Sequence, residues 1–318
     1  MHSNYVPAQI EKHLEFLDFN SHGDLLIGAS SLTTRYWTGS IWCFKKGVTE
    51  NDAINPARCI TGLDIGTGVI DGHFIRDKQS VIGLDSGGVV LMGLTKEQDG
   101  DSITYYLEQQ AEVMEHDDML TGINTWKDGS IASVGLDNRL NIISPTMALV
   151  NSYQPVHSRY VSGVSCSQTL NVVATCSLEG AVRIWDLRQP KPARSVGELE
   201  SEGCGSLEWC DDQNLIVGSM AGDLVLLDIR GKEKGLRFKF MDRPITRMKW
   251  SPERNMLAVA GDDVTTIVVR RIEGQLKTVM QDSLHSDYVR GLSWVSSDNL
   301  WSVGWDHKVK SRVIGECS

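Results

Sequence analysis

The sequence predicts an all-β protein: a single seven-bladed β-propeller occupying residues 1–318. Three observations carry this. One phrase recurs seven times: a short alternating strand, a turn, an apolar strand, a tight turn and a third strand. Indexed by the turn before the third strand, the copies fall near Gly39, Gly87, Asn138, Gly180, Gly222, Asp263 and His307. That is a spacing of about 41–51 residues, close to the roughly 40–45 of one four-stranded blade. Finally, 30 glycines stand against 8 prolines, which suits many tight turns and few stiff linkers. Seven copies closing into a ring remove most exposed sheet edges.

The copies are unequal. The first, "LEFLDFNSHGDLLIGASS" continued by "GSIWCFKK", starts at Leu14, and eight residues, 31–38, interrupt its second and third strands. Residues 1–13 are predicted to form the outer strand of the last blade and clasp the ring, so that their removal destabilises the whole domain. The second copy, "VIDGHFIRDKQSVIGLDSGGVVLMGL" from Val69, is faint, whereas "HDDMLTGINTWKDGSIASVGLDNRLNII" from His116 is plain. The fourth is the clearest: "HSRYVSGVSCSQTLNVVATCSLEGAVRIWDLR", residues 157–188, opens on a His and carries the two-residue turn "EG" before "AVRIWD". "GSLEWCDDQNLIVGSMAGDLVLLDIR" from Gly205, "RPITRMKWSPERNMLAVAGDDVTTIVVRRI" from Arg243 and "HSDYVRGLSWVSSDNLWSVGWDHKVKSRVI" from His285 complete the set.

In the fourth copy His157 stands in register with Trp185-Asp186 at the end of the third strand. By these residues the chain resembles the WD-repeat family, whose pattern links a His, a strand-turn acid and the Trp by hydrogen bonds. Glu179 stands where that acid is usually Asp. Trp305-Asp306 looks like a second signature but is displaced, with Asp306 at the strand turn like Asp137 in "LDNRL". The resemblance implies that His157, Trp185, Asp186 and Asp306 are structural and not catalytic.

Composition narrows the function classes. A hydrophobic share of 41% and a charged share of 23% are ordinary for a globular chain with a sizeable core. Apolar runs such as "LVLL" near Val225 are too short to cross a bilayer as a helix, and "MHSNYVPAQIEKHLEF" lacks a basic cap before an apolar stretch. A net charge of −10 argues against nucleic acid and towards basic partners, and the densest basic run, "KGLRFK", alternates like a solvated strand. The seven cysteines include no C-x-x-C pair; they read as reduced, buried thiols of the cytosol or nucleus, and no metal is expected. "GTGVIDG", residues 66–72, precedes no helix and reads as turn material. The pairs Asp117-Asp118, Asp211-Asp212 and Asp262-Asp263 are expected at equivalent, solvated turns. Asp71 and His73 are the nearest approach to a catalytic pair, without an evident nucleophile.

The remaining feature is the interrupted first copy. Arg35, Tyr36 and Trp37 are residue types enriched at binding hot spots, and a loop that breaks a repeat is a natural docking element. Equally, Trp37 could fold back on its own blade with Arg35 stacked on an aromatic face. Trp42, within "SIWCF", reads as core.

"LLIGASSL", the following Arg-x-Trp and "GSIWCFK", together with "EHDD", "RQPKPA", "HSDYVR" and "VGWDH", are similar to the WD-repeat subunit of the methylosome, the companion of the symmetric protein arginine methyltransferase. The matches run the length of the chain. The resemblance implies that Trp37 inserts into the partner enzyme, with Leu32, Thr33, Arg35 and Tyr36 beside it. It implies a non-catalytic adaptor in a hetero-oligomer, presenting Arg-rich substrates such as histone tails and Sm proteins in cytoplasm and nucleus. No cofactor is expected of this chain, because S-adenosylmethionine would belong to the partner. The chain departs from its relatives in lacking a Pro-rich head and in carrying Tyr36 where a smaller residue is familiar. Two other classes remain open: a WD-repeat adaptor of another complex, such as a ubiquitin-ligase substrate receptor or histone-tail reader, and a propeller enzyme.

Overall fold

The computed structural model describes residues 6–32, 37–189, 194–199, 202–231 and 235–315, with Leu32 and Glu198 described by backbone alone. The chain forms seven antiparallel sheets, each a meander in which consecutive strands pair. The blades begin with the innermost strands His13–Phe19, Val69–Arg76, Leu120–Thr125, Val161–Cys166, Cys204–Trp209, Ile245–Ser251 and Val289–Trp294. These seven meet their neighbours in a closed circle, the first lying against the last. The protein is a seven-bladed β-propeller.

Each blade's second strand is flanked by strands in its own sheet and by sheets on both faces. This explains its continuous apolar run: Val172–Ser177 and Met256–Gly261 are buried at every position. The apolar side chains gather in seven clusters, each at the seam between two adjacent blades. The tight turns into the third strands end on a left-handed residue at Gly87, Asn138, Gly180, Gly222 and His307, with φ between 58° and 91°, the conformation that Gly and Asn adopt at least cost. Gly39 and Asp263 are not such turn residues. Gly39 lies inside the strand Trp37–Phe44, opposite Ser30 and Ile65.

Three expectations change. The first blade is not interrupted over eight residues: Leu25–Leu32 and Trp37–Phe44 pair continuously up to Leu32 opposite Trp37, so only residues 33–36 separate them. Alternation of small and apolar residues carries the ladder through "SSL" and "WTGS", which read as loop by composition. Secondly, the third and fourth strands of the second blade, Gly88–Asp99 and Ser102–Met114, outrun their neighbours. The second strand pairs only as far as Gly93, so residues 94–107 project as a two-stranded ribbon, which accounts for the longest repeat spacing.

Thirdly, ring closure differs. Among the described residues the seventh blade has three strands, ending at Val309–Val313, and residues 6–12 form no strand against it. Pro7 lacks the N–H a ladder needs, and His13 already begins the innermost strand of the first blade. Residues 1–5 lie outside the described part. Two other contacts close the seam. Ile10 is buried in the cluster containing Trp42, Trp301 and Val309, and the Glu11 carbonyl lies 3.0 Å from His307 Nδ1. On the outer edge, Glu50 from the first blade reaches the last strand and accepts from Ser311 N and Oγ at 2.6 and 2.7 Å, with Lys310 Nζ 3.6 Å away.

Candidate functional site

The connections between blades and the turns into the third strands share one mouth of the propeller; the turns between first and second strands form the other. At the first mouth, hydrogen bonds fasten connection to turn. In the fourth blade His157 Nδ1 lies 2.8 Å from Glu179 and its Nε2 2.9 Å from Thr175 Oγ1, which also accepts from Trp185 Nε1 at 2.9 Å. The longer Glu179 therefore replaces Asp without breaking the network. In the third blade His116 meets Asp137 at 3.0 Å and Ser133 at 2.9 Å.

The seventh blade repeats the arrangement with His285, Asp306 at 3.0 Å and Ser302 at 2.7 Å. Arg312 takes the place of the Trp: it pairs with Leu300 as Trp185 pairs with Val173, and it donates to Ser302 Oγ at 2.6 Å. Its charge is balanced by Asp282, 2.5 and 2.9 Å away. Burial tends to raise the Asp306 carboxyl, but hydrogen bonds from His285 and the Ser286 and Lys308 N–H groups hold it below its ordinary value. Burial pushes His157 and His285 down. Asp186 stands apart from the His network. It grips Arg188 through Nε at 2.8 Å and Nη2 at 2.7 Å, which lowers its carboxyl to about 2.

The first blade also carries a Trp at this position, opposite Ile27. Trp42 is fully buried and donates to Ser40 Oγ at 2.6 Å, and Ser40 in turn bonds the Glu11 carboxylate. Glu11 thus stands in for the missing His, a substitution that no repeat pattern signals.

The hairpin carrying Trp37 rises from this mouth. Its root is tied to the next blade, with Ser30 Oγ donating to the Val69 carbonyl and accepting from Val69 N, both at 3.0 Å. A Cβ on Gly39 would lie 2.7 Å from the Thr67 carbonyl, so only glycine lets the connection press against the hairpin here. Trp37 leans towards Gly68, where a Cβ would lie 3.4 Å from its Cε3, yet it remains 47% exposed. It is the one tryptophan among the described residues that is exposed. Thr33, Arg35 and Tyr36 lie outside the described residues, as does the side chain of Leu32.

His73 sits in the central channel, 3.7 Å from Asp71 and 3.8 Å from Asp18. Burial would lower it, but those two carboxylates raise it. The pair belongs to a buried charge network lining the channel. The acidic pairs occupy three different kinds of connection, not equivalent turns: Asp117-Asp118 between blades, Asp211-Asp212 after an innermost strand, and Asp262-Asp263 before a third strand. Asp117 pairs with Arg139 and Asp211 with Arg271, at 2.5 and 2.6 Å.

Comparison with known proteins agrees with this architecture. The WD domain, G-beta repeat family matches residues 149–186, from the outer strand of the third blade through the first three strands of the fourth, with His157 and Trp185 inside the match. The chain is 28% identical over 312 residues to methylosome protein WDR77 of Xenopus laevis, covering 96% of this chain and 90% of that protein. It is also 27% identical over 140 residues to the WD repeat-containing protein fzy-1 of Caenorhabditis elegans, of which it spans 27%. Among solved structures, a chain of the COPII outer coat vertex superimposes with a TM-score of 0.78 at 14% identity, covering 98% of this chain and 86% of that one. A chain of the mitotic checkpoint complex gives 0.72 at 15% identity, covering 98% and 94%. These two show the fold alone.

Proposed function

We propose that this propeller, similar to methylosome protein WDR77 over 96% of its length, is a non-catalytic adaptor that binds a symmetric protein arginine methyltransferase. Trp37 is the anchor, and Leu32, Thr33, Arg35 and Tyr36 flank it. The observation that carries the reading is the half-exposed Trp37 at the head of a hairpin with a tied root. An aromatic side chain on a rigid base enters a pocket at little conformational cost. The adaptor stabilises the hetero-oligomer and presents Arg-rich tails, such as those of histones and Sm proteins, in cytoplasm and nucleus. Its charge of −10 raises the local concentration of basic tails in a salt-dependent manner. The methyl donor, S-adenosylmethionine, binds the partner.

The test mixes wild type and Trp37→Ala with the symmetric arginine methyltransferase of the same organism and weighs the complex by light scattering. Truncating a buried Trp anchor is expected to cost about 2–4 kcal/mol, roughly 30- to 1,000-fold in affinity, while the variant alone melts as the wild type does. An equally tight complex with the folded variant places the anchor elsewhere on the propeller. No complex with the wild type sinks the assignment.

A further inference from the structure

The sequence holds three Asp-Gly pairs: Asp71-Gly72, Asp99-Gly100 and Asp128-Gly129. Such a pair carries a built-in reaction. Its side-chain carboxyl can close a five-membered ring with the next backbone nitrogen, and glycine has no side chain to hinder the closure. What holds the two groups decides whether they react, and the fold treats the three pairs differently. Asp71-Gly72 lies within the innermost strand Val69–Arg76 of the second blade. Asp71 accepts from Gly72 N at 2.9 Å and from Ile123 N at 3.3 Å. Gly72 is buried, and a Cβ on it would lie 2.3 Å from the Phe16 ring. Asp128-Gly129 occupies a tight turn. Its carboxylate accepts from Ser130 N at 2.8 Å and Ser130 Oγ at 3.1 Å, and Gly129 N donates to the Trp126 carbonyl at 3.0 Å.

Asp99-Gly100 is held by neither device. It forms the tip of the projecting ribbon, where Asp99 pairs with Ser102 across the two-residue turn Gly100-Asp101. Gly100 has φ 58°, the conformation a glycine supplies at the first position of such a turn. Residues 96–103 are all exposed, and a Cβ on Gly100 would meet nothing within 4 Å. Among the described residues, neither the Asp99 carboxylate nor the Gly100 N–H has a hydrogen-bond partner. The bond from Gln98 Nε2 to the Gly100 carbonyl at 3.2 Å engages neither of the reacting groups.

We propose that Asp99 is a site of spontaneous modification, converted through a succinimide to isoaspartate in the folded protein. Gly100 N attacks Asp99 Cγ: the N–Cγ bond forms and a Cγ–O bond breaks. The oxygen leaves as water, with the amide proton and one proton from solvent. Water then opens the ring at either carbonyl. Attack at Cγ restores aspartate, whereas attack at the former backbone carbonyl leaves the chain running through the side chain, with a free α-carboxylate. The main chain thereby gains one methylene at the root of a two-residue turn whose length sets the register of the hairpin, so the pairing next to the turn is lost. That exposed α-carboxylate is the group an isoaspartyl carboxyl methyltransferase esterifies, which makes the ribbon tip a substrate for repair. The site stands independently of the Trp37 hairpin.

The experiment incubates the full chain at neutral pH in ¹⁸O-labelled water, once folded and once unfolded in urea, and maps its peptides by mass spectrometry. Each succinimide that opens takes up one heavy oxygen, and electron-transfer fragmentation tells isoaspartate from aspartate. In the folded chain, label and isoaspartate are expected at Asp99 at least about tenfold above Asp71 and Asp128, because those two pairs react only after local opening. In urea the three pairs are expected to label alike. Asp99→Glu keeps the charge but would need a six-membered ring; it is expected to take up no label at that position and to melt as the wild type does. An isoaspartyl carboxyl methyltransferase is expected to methylate the aged wild type at Asp99 and not the variant. Labelling of Asp99 in the folded chain no faster than at Asp71 or Asp128 overturns the proposal. So does label at Asp99 without isoaspartate.

Discussion

Trp209 and Trp250 allow the value of one buried hydrogen bond to be read at two equivalent positions. Trp209→Phe removes the donor to the Ser165 carbonyl and is expected to cost about 1–3 kcal/mol, because a buried acceptor loses its partner. Trp250→Phe removes a donor that has no partner, so stability should stay level or rise. Urea denaturation of both variants decides it; equal losses at the two positions would show that Trp250 is satisfied in solution. This difference could not be read from the sequence, since "SLEW", "RMKW" and "GLSW" present the same pattern. Which indole finds a carbonyl depends on the displacement between adjacent blades. By contrast, the His157–Glu179–Trp185 network was legible, because its members are spaced by the strand and turn lengths of a single blade.

At the scale of the blade, the buried histidines make stability depend on pH. His157 and His285 are pushed down by burial, against their carboxylate partners. The unfolded chain, with ordinary histidines near 6.5, therefore binds protons that the folded chain refuses. Stability is fully present above that value and falls as pH drops below it. Two refused protons set a ceiling of about 2.7 kcal/mol per pH unit. His73 has the opposite sign: Asp71 and Asp18 raise it, so its contribution is complete below its unfolded value and fades as pH rises through its folded one. The net decline should therefore begin near pH 6.5 and steepen below it. Urea unfolding at pH 7.5, 6.5 and 5.5 measures this. The double variant His157→Gln, His285→Gln should be less stable at pH 7.5 and flatter with pH, and an unchanged slope would refute the assignment. Elements were legible wherever a tight turn separated two apolar runs. The ribbon of residues 94–107 is not legible because its tip is polar and exposed and its half-buried base, with Leu107 buried, shows no regular alternation, and the first hairpin is not because its strands end in small and hydroxylated residues.

For the whole molecule, the decisive feature is how the circle closes. Five seams join complete neighbouring blades, but the two that flank the seventh blade involve a sheet whose last described strand has an open outer edge. Ser311 turns its N–H away from the ladder to Glu50, so the connection after the first blade's third strand guards that edge in place of a fourth strand. Burial would raise the Glu50 carboxyl, but the Ser311 bonds and Lys310 lower it, as befits a carboxylate kept charged for the task. Glu50→Ala is expected to cost about 1–2 kcal/mol through the lost charged hydrogen bonds. Ile10→Ala, on the same seam, should cost about 2–4 kcal/mol as a large-to-small core change. Because a closed ring supports each blade from both sides, breaking the seam loosens its two flanking blades first. Hydrogen exchange tests this directly. Amides of Val309–Val313 should exchange faster in Glu50→Ala, but not in Leu215→Ala, which weakens a seam elsewhere in the ring. If those amides are equally protected in Glu50→Ala and wild type, Glu50 does not hold the ring, and closure must be sought in the contacts of Ile10 and Glu11.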